Sequence, residues 1–263
     1  MHGYPVLIHP KGSIPKCLAI GSIGIICQSS SYPDRVIKAP IRHKLEGCSP
    51  EVIKRTLHNE EFSRKCFDRE KSAYRILPKH PNILHCIEIT DDYIHLLLIP
   101  HGDLRQYLGR YNHEIGIETR KKWTAMAIDA ISTVHSCGII HADISTRNFL
   151  VSDDLSIKLC DFSGSAIGDQ VSLVQEEDRY RMDPESPLSV KTDIFATGCL
   201  IFEIMTGLRP YDEIKDEEWE DIVRRYSFGI FPCLDNVPCG DIILKCWNCS
   251  YRSMECVKTD LRK

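Results

Sequence analysis

The residues that could do chemistry crowd into one stretch, residues 141–163, which reads H-A-D-I-S-T-R-N-F-L-V-S-D-D-L-S-I-K-L-C-D-F-S. Asp143 and Asn148 stand five apart, with His141 two residues before the aspartate. A short apolar run, residues 149–151, follows at once. A polar turn then leads to a second run, residues 157–160, which ends on Asp161-Phe162. The pattern predicts a β-hairpin with acidic and amide side chains at its mouth, because strand pairing carries Asn148 and Asp161 to the same end. With Asp143 they make an oxygen-rich set. Such a set suits Mg²⁺, a hard ion that keeps waters and shares phosphate oxygens. Without that chemistry, the same Asp and Asn would be turn formers.

The elements that must position this stretch lie on both sides of it. Residues up to about Lys16 give no strong pattern. Residues 17–28 read as two apolar strands around a glycine turn that contains Gly21 and Gly24. Residues 35–40 read as a strand carrying Lys38. Residues 60–77 read as a helix, with Phe62, Cys66, Ala73, Ile76 and Leu77 at roughly helical spacing and Pro78 past its end. Its acidic residues Glu60, Glu61, Asp68 and Glu70 are candidates to pair with Lys38. Residues 83–89 and 93–99 read as two more strands, and residues 99–103 break the pattern. Helices are predicted over 103–111 and over 118–137, the latter with Trp123, Ala127, Ile128, Ala130, Ile131 and Val134 on a broad apolar face. An apolar helix over 191–207 has Asp193 near its start and a glycine stop at Gly207. Three shorter helices follow, over 217–226, 239–247 and 253–261. Strands first and helices after is an α+β order.

From about Cys17 to Trp247 the chain resembles the protein kinase family, whose pattern is H-R-D-L-x-x-x-N, a hairpin and then D-F-G. It is most similar to small fungal protein kinase-like proteins, through H-A-D-I-S-x-R-N-F-L-V and T-D-I-F-A-x-G-x-x-I-F-E-I-M-T-G, which implies a fungal origin. The resemblance implies a two-lobed α+β kinase-like fold in one domain, residues 1–263. Its small β-rich N-lobe would cover about residues 1–99, its hinge about 99–103, and its mainly helical C-lobe about 104–263. The implied activity is transfer of the γ-phosphate of ATP, with Mg²⁺, to a protein hydroxyl, Ser or Thr. Asp143 is then the catalytic base, and Asn148 and Asp161 are the metal ligands. Lys38 contacts the phosphates and pairs with Glu70. Gly21, Gly24, Ile26, Val36 and Leu150 line the nucleotide site, with Val36 over the adenine. Asp193 hydrogen-bonds the catalytic-loop backbone, and Asp183-Pro184-Glu185 is a degenerate A-P-E. Cys160 would face the nucleotide pocket, either as a reactive thiol or as apolar packing.

The chain departs from the pattern at several points. Ile23 stands where the glycine-rich loop has its middle glycine, and the hinge is short. Ala142 replaces the Arg of H-R-D, which leaves no cation there for a phosphorylated activation segment. Activity independent of phosphorylation at Ser165 or Ser172 is the expectation. Ser163 replaces the glycine of D-F-G and lacks that residue's freedom at positive φ. Ser145 stands where Ser/Thr kinases carry Lys, and Arg147 where Tyr kinases often carry Arg. These departures support an alternative, a pseudokinase acting as a nucleotide- or protein-binding module. A small-molecule phosphotransferase of the aminoglycoside or choline kinase type shares H-x-D-x-x-x-x-N. The helix with Asp193 and Gly198 argues against it.

Composition adds bounds. The formal net charge of −4 favours neither nucleic acid nor an anionic membrane surface as partner. No apolar run reaches membrane-spanning length, and residues 1–10 lack the pattern of a signal peptide. The 13 cysteines are odd in number and scattered, which fits reduced thiols in an intracellular protein of the cytoplasm or nucleus. A monomer with a protein substrate is the expectation. Cys233, Cys239, Cys246, Cys249 and Cys256 contain one C-x-x-C. They are open to a zinc reading or to plain apolar packing.

Overall fold

A computed structural model describes residues 3–21, 23–182 and 187–263. Asp183-Pro184-Glu185 lies outside the described residues. The chain divides into two compact units. The first is Met1–Pro78 with Leu84–Leu98, and the second is Lys79–Ile83 with Ile99–Lys263.

The first unit is built on a five-stranded antiparallel sheet. Its strands are Ser13–Ile20, Ile25–Ser29, Arg35–Ala39, Ile94–Leu97 and Cys86–Ile89, in that spatial order. Arg35–Ala39 is central, flanked by Ile25–Ser29 and Ile94–Leu97. A central strand buries both faces, and this one reads R-V-I-K-A, with Val36, Ile37, Lys38 and Ala39 all buried. A two-stranded ladder, Val6–Leu7 with His43–Lys44, precedes and follows the first three strands.

One helix, α1, Pro50–Ile76, belongs to this unit. It begins ten residues before the expected start at Glu60. Ser49-Pro50-Glu51 is its N-terminal signal. The Ser49 side chain accepts from the Val52 N–H, Pro50 supplies a preset φ where no N–H is needed, and Glu51 faces the positive end of the helix dipole. The expected apolar stripe is partly wrong as well. Cys66 and Ala73 are buried, but Phe62 and Ile76 are exposed. The buried stripe instead contains Ser63, Phe67, Glu70, Lys71 and Tyr74. Polar groups on an inward face defeat a search for apolar periodicity alone.

The second unit is mainly helical. It contains α2, Leu104–Tyr111; α3, Ile117–Ser136; α4, Val190–Thr206; α5, Trp219–Ser227; α6, Gly240–Trp247; and α7, Met254–Leu261. The predicted helices fall within a few residues of these bounds. All six apolar residues expected on the inner face of α3 are buried, and the Trp123 Nε1–H donates to the Leu155 carbonyl at 2.7 Å. The hairpin Phe149–Val151 with Ile157–Leu159 sits in this unit, in register Leu159 to Phe149. Its turn is closed by Leu155 at φ 59° and by the Asp154 carboxylate, which accepts from the Ser156 N–H.

Helix α4 is the core of the unit. Every residue from Thr192 to Met205 is buried. A reciprocal cap between Ser189 and Thr192 starts it, and Gly207 at φ 77° ends it. Gly198 has a packing reason rather than a conformational one. A Cβ there would lie 2.8 Å from Cys246 Cβ and 3.0 Å from Trp247 Cδ1 on α6. Gly109, on α2, has nothing within 4 Å of the same atom. Gly198→Ala should therefore destabilise the protein by about 1–3 kcal/mol through overpacking. Gly109→Ala should stabilise it by about 0.5–1 kcal/mol through helix propensity. Opposite shifts in the thermal melting midpoints of the two variants would check this.

Candidate functional site

In the first unit, Lys38 and Glu70 meet. Lys38 Nζ lies 2.6 Å from Glu70 Oε2, and both side chains are buried. The other acidic candidates are engaged elsewhere. Glu60 pairs with His43, Glu61 with Lys65, and Asp68 with Lys71 and Arg64. A buried ion pair is held together because removing one partner strands the other, at a cost of about 3–5 kcal/mol.

Ser63, about two turns before Glu70 on α1, fixes the helix against the sheet. Its Oγ donates to the Ile23 carbonyl at 3.0 Å and accepts from the Ile41 N–H at 2.8 Å. The glycine turn closes on itself, with the Gly21 N–H donating to the Gly24 carbonyl at 3.0 Å. A Cβ on Gly24 would lie 3.2 Å from the Ala39 carbonyl oxygen, so the strand exit after Lys38 crowds this turn. Ile26 is half-buried and pairs with Lys38 across the ladder, and Val36 is buried.

In the second unit, the loop after the strand Ile139–Ile140 gathers Asp143, Asn148 and Asp161. Asn148 Nδ2 donates to the Asp143 carbonyl at 2.7 Å and to Asp143 Oδ2 at 2.9 Å. That clasp orients the amide so that its nitrogen faces Asp143. The Cys160 N–H donates to the Asn148 carbonyl at 2.9 Å, which sets Asp161 one residue beyond the paired position. Burial is the main cause that raises the Asp143 carboxyl above the ordinary carboxylate range. The nearby Glu177 and Asp161 add to the rise, while His141 and Asn148 oppose it. Leu150 is half-buried, pairs with Lys158 and bridges to Asp103. Cys160 is half-buried, and its carbonyl accepts from His141 Nε2 at 3.1 Å.

Asp193 holds this loop in shape. Its fully buried carboxylate accepts from the His141 N–H at 2.8 Å, the Ala142 N–H at 2.9 Å and His135 Nε2 at 2.7 Å. Ala142 has φ 63°, a left-handed conformation that a Cβ disfavours. Ser163, which stands in place of glycine, is not at positive φ; Asp161 itself is, at 63°. Ser163 Oγ donates to Asp161 Oδ1 at 2.6 Å, so the serine anchors the aspartate.

A second network was invisible in the sequence. Arg105, on α2, donates to Thr146 Oγ1 at 3.1 Å, Glu203 Oε1 at 3.0 Å, Glu177 Oε2 at 2.8 Å and the Tyr180 hydroxyl at 3.2 Å. The Tyr180 hydroxyl in turn donates to Glu203. Arg147 reaches Glu177 at 2.8 Å, so its charge is already paired. Ser145 and Ser165 are fully buried, and Ser165 Oγ donates to the His141 carbonyl at 3.3 Å. These links join residues far apart in sequence, and no local pattern signals them.

The site defined by the loop, the hairpin and α4 is that of a kinase-type fold. The sequence matches the protein kinase domain family over residues 43–245, and the chain belongs to that family. The match begins after Lys38. The chain is 28% identical over 214 residues to the serine/threonine-protein kinase ksg1 of Schizosaccharomyces pombe, covering 71% of this chain and 35% of the relative. It is 28% identical over 244 residues to the RGS domain-containing serine/threonine-protein kinase A of Dictyostelium discoideum, covering 89% and 20%. It is 26% identical over 187 residues to the serine/threonine/tyrosine-protein kinase HT1 of Arabidopsis thaliana, covering 64% and 47%. The chain thus spans less than half the length of each of these relatives. They come from a yeast, a slime mould and a plant, and lend the fungal likeness only weak support. Among the described residues, no helix is long and apolar enough to cross a membrane.

Two predictions follow from the geometry. Asp193→Ala removes the acceptor of two buried backbone N–H groups and a buried imidazole. At about 1–3 kcal/mol for each stranded donor, it should destabilise the protein by at least about 3 kcal/mol, measured by denaturant unfolding. Glu176 is buried, and burial is the main cause that pushes its carboxyl up to about 7. A raised folded pKa means that stability is full below the unfolded carboxyl pKa and is lost as pH rises towards about 7. Glu176→Gln should abolish that slope and melt higher than the parent at mildly alkaline pH.

Proposed function

We propose that this chain is an ATP-dependent protein kinase that transfers the γ-phosphate of Mg-ATP to a protein hydroxyl, Ser or Thr. The observation that carries the reading is the buried Lys38–Glu70 pair at 2.6 Å. In protein kinases this pair must be in place for phosphoryl transfer. In the proposed mechanism, Glu70 orients Lys38 towards the α- and β-phosphates. Asp143 accepts the proton of the substrate hydroxyl, and its raised pKa improves it as a base once ionised.

Asn148 and Asp161 would hold Mg²⁺. They fit that ion: both offer oxygen donors, and the Asn148 amide nitrogen is committed to Asp143, which leaves its oxygen as the donor turned elsewhere. The bound metal neutralises charge that develops on the phosphates. Gly21, Gly24, Ile26, Val36 and Leu150 are the proposed lining of the nucleotide site. Ser/Thr preference is supported by the names of the yeast and slime-mould relatives. An intracellular, monomeric enzyme acting on a protein is part of the same proposal.

A second reading, a pseudokinase, rests on two specific contacts. The Gly21 N–H is spent on the Gly24 carbonyl, and Asp161 Oδ1 is taken by Ser163 Oγ. Transfer of labelled γ-phosphate to the chain itself and to a generic basic protein separates the two. An active kinase should lose about 10²–10⁴-fold in rate in Asp143→Asn, the range of a lost general base. Absence of transfer, with thermal stabilisation by Mg-ATP, would establish the binding module instead.

A further inference from the structure

The first unit contains a second constellation that the kinase reading does not use. Cys17 and Cys27 are directly opposite each other in the ladder between Ser13–Ile20 and Ile25–Ser29, so their side chains leave the same face. The pairing slips on both sides of Cys17, as at a bulge, which re-aims that one side chain. The sulfurs lie 3.6 Å apart. His9 closes the triangle, with Nδ1 3.6 Å from Cys17 Sγ and 3.9 Å from Cys27 Sγ.

His9 is placed from outside the sheet. Val6 and Leu7 pair with Lys44 and His43, the Ile8 N–H donates to the Arg42 carbonyl at 2.8 Å, and the Ser13 N–H donates to the Pro10 carbonyl at 3.2 Å. The three ligand atoms all lie within 4.8 Å of one another.

We propose that His9, Cys17 and Cys27 form a zinc site. The distances carry the argument. Zn–S bonds of about 2.3 Å and Zn–N bonds of about 2.0–2.1 Å at tetrahedral angles put two sulfurs roughly 3.8 Å apart and a sulfur and nitrogen roughly 3.6 Å apart. The observed triangle of 3.6, 3.6 and 3.9 Å has those dimensions. Two thiolates and an imidazole are a borderline-soft set that suits Zn²⁺ rather than Mg²⁺ or Ca²⁺. The sulfurs are far outside disulfide bonding distance.

The depth of the ligands is graded. Cys27 is buried beside Ile25 and Ala39, Cys17 is half-buried, and His9 is exposed. The fourth position therefore faces solvent. Because Cys27 pairs with Ile37, next to Lys38, the ion would tie the leading segment to the strand that bears Lys38. Among the described residues this is the one such cluster, and it does not involve the C-terminal cysteines.

The test uses the reduced, metal-stripped chain titrated with Co²⁺, followed by Zn²⁺ displacement. The expected result is one Co²⁺ per chain, with thiolate-to-cobalt charge transfer and the visible bands of a tetrahedral ion, both removed by Zn²⁺. Cys17→Ser and His9→Gln change side chains that are not buried, so the fold is kept. Each should weaken metal binding by more than about tenfold, in line with losses seen even for outer-sphere changes, and each should remove the thermal stabilisation by Zn²⁺. The proposal is overturned by absence of a tetrahedral cobalt spectrum. A spectrum unchanged in both variants but lost in Cys246→Ser with Cys249→Ser would also overturn it, as would a Cys17–Cys27 disulfide in the freshly purified chain.

Discussion

The second unit depends on one buried carboxylate. Asp193 is fully buried, and a polar group in that position is tolerable only when its oxygens are engaged. They are engaged by two consecutive backbone N–H groups, those of His141 and Ala142, and by the ring of His135. The two amides meet the two oxygens of that carboxylate, and Ala142 takes a left-handed φ of 63° at the same point, immediately before Asp143. Helix α4 is buried along almost its whole length, which gives Asp193 a rigid mounting.

The same logic explains how the segment after the hairpin is held without a cation at position 142. A phosphorylated segment in other kinases is ordered by new pairs between phosphate and arginine. Here the Glu177 carboxylate is gripped by Arg105 at 2.8 Å and by Arg147 at 2.8 Å. Glu203 and Tyr180 close the network from the other side of Arg105. The half-buried guanidinium is held well above its ordinary pKa: the two glutamates outweigh desolvation, the largest single influence and one that opposes the rise. A glutamate held by two arginines, in place of a phosphate, fits a segment whose Ser165 is fully buried.

Much of this was legible in the sequence, for specific physical reasons. The hairpin from residue 149 and the face of α3 obey simple periods, and the Asp143–Asn148 spacing is local. The helix that Asp193 opens is legible from its apolar run and glycine stop, whereas the bond from Asp193 to the loop backbone is legible only through the family resemblance. The start of α1 has a capping signal in Ser49-Pro50-Glu51, but it is weakly marked because only Val52, Ile53 and Leu57 are apolar in the ten residues after it, and Leu57 is exposed. Phe62 and Ile76 were misplaced because the inward face of α1 is partly polar. Arg105 with Glu177 and Glu203, and His9 with Cys17 and Cys27, join distant segments. Such contacts have no period and no spacing, so only the fold brings them together. Ser163 was read as a loss of backbone freedom, whereas its hydroxyl is what the fold uses.

The first unit poses the sharper question, since the family match starts after its central strand. A buried lysine–glutamate pair is weak evidence for stability, since well-packed apolar residues of similar size often serve as well. In the proposed mechanism the pair is a positioning device, in which the glutamate aims a cation at a charge that comes from outside the protein. The self-closed turn at Gly21 and Gly24 removes one amide from that task. Under the proposed function, phosphate recognition in this unit would rest more on the Lys38 point charge and less on backbone amides than in a glycine-rich loop. A point charge neutralises phosphate but does not fix its geometry as a nest of amides does. The second unit carries the precisely bonded groups, so it is there that the geometry of transfer would have to be set.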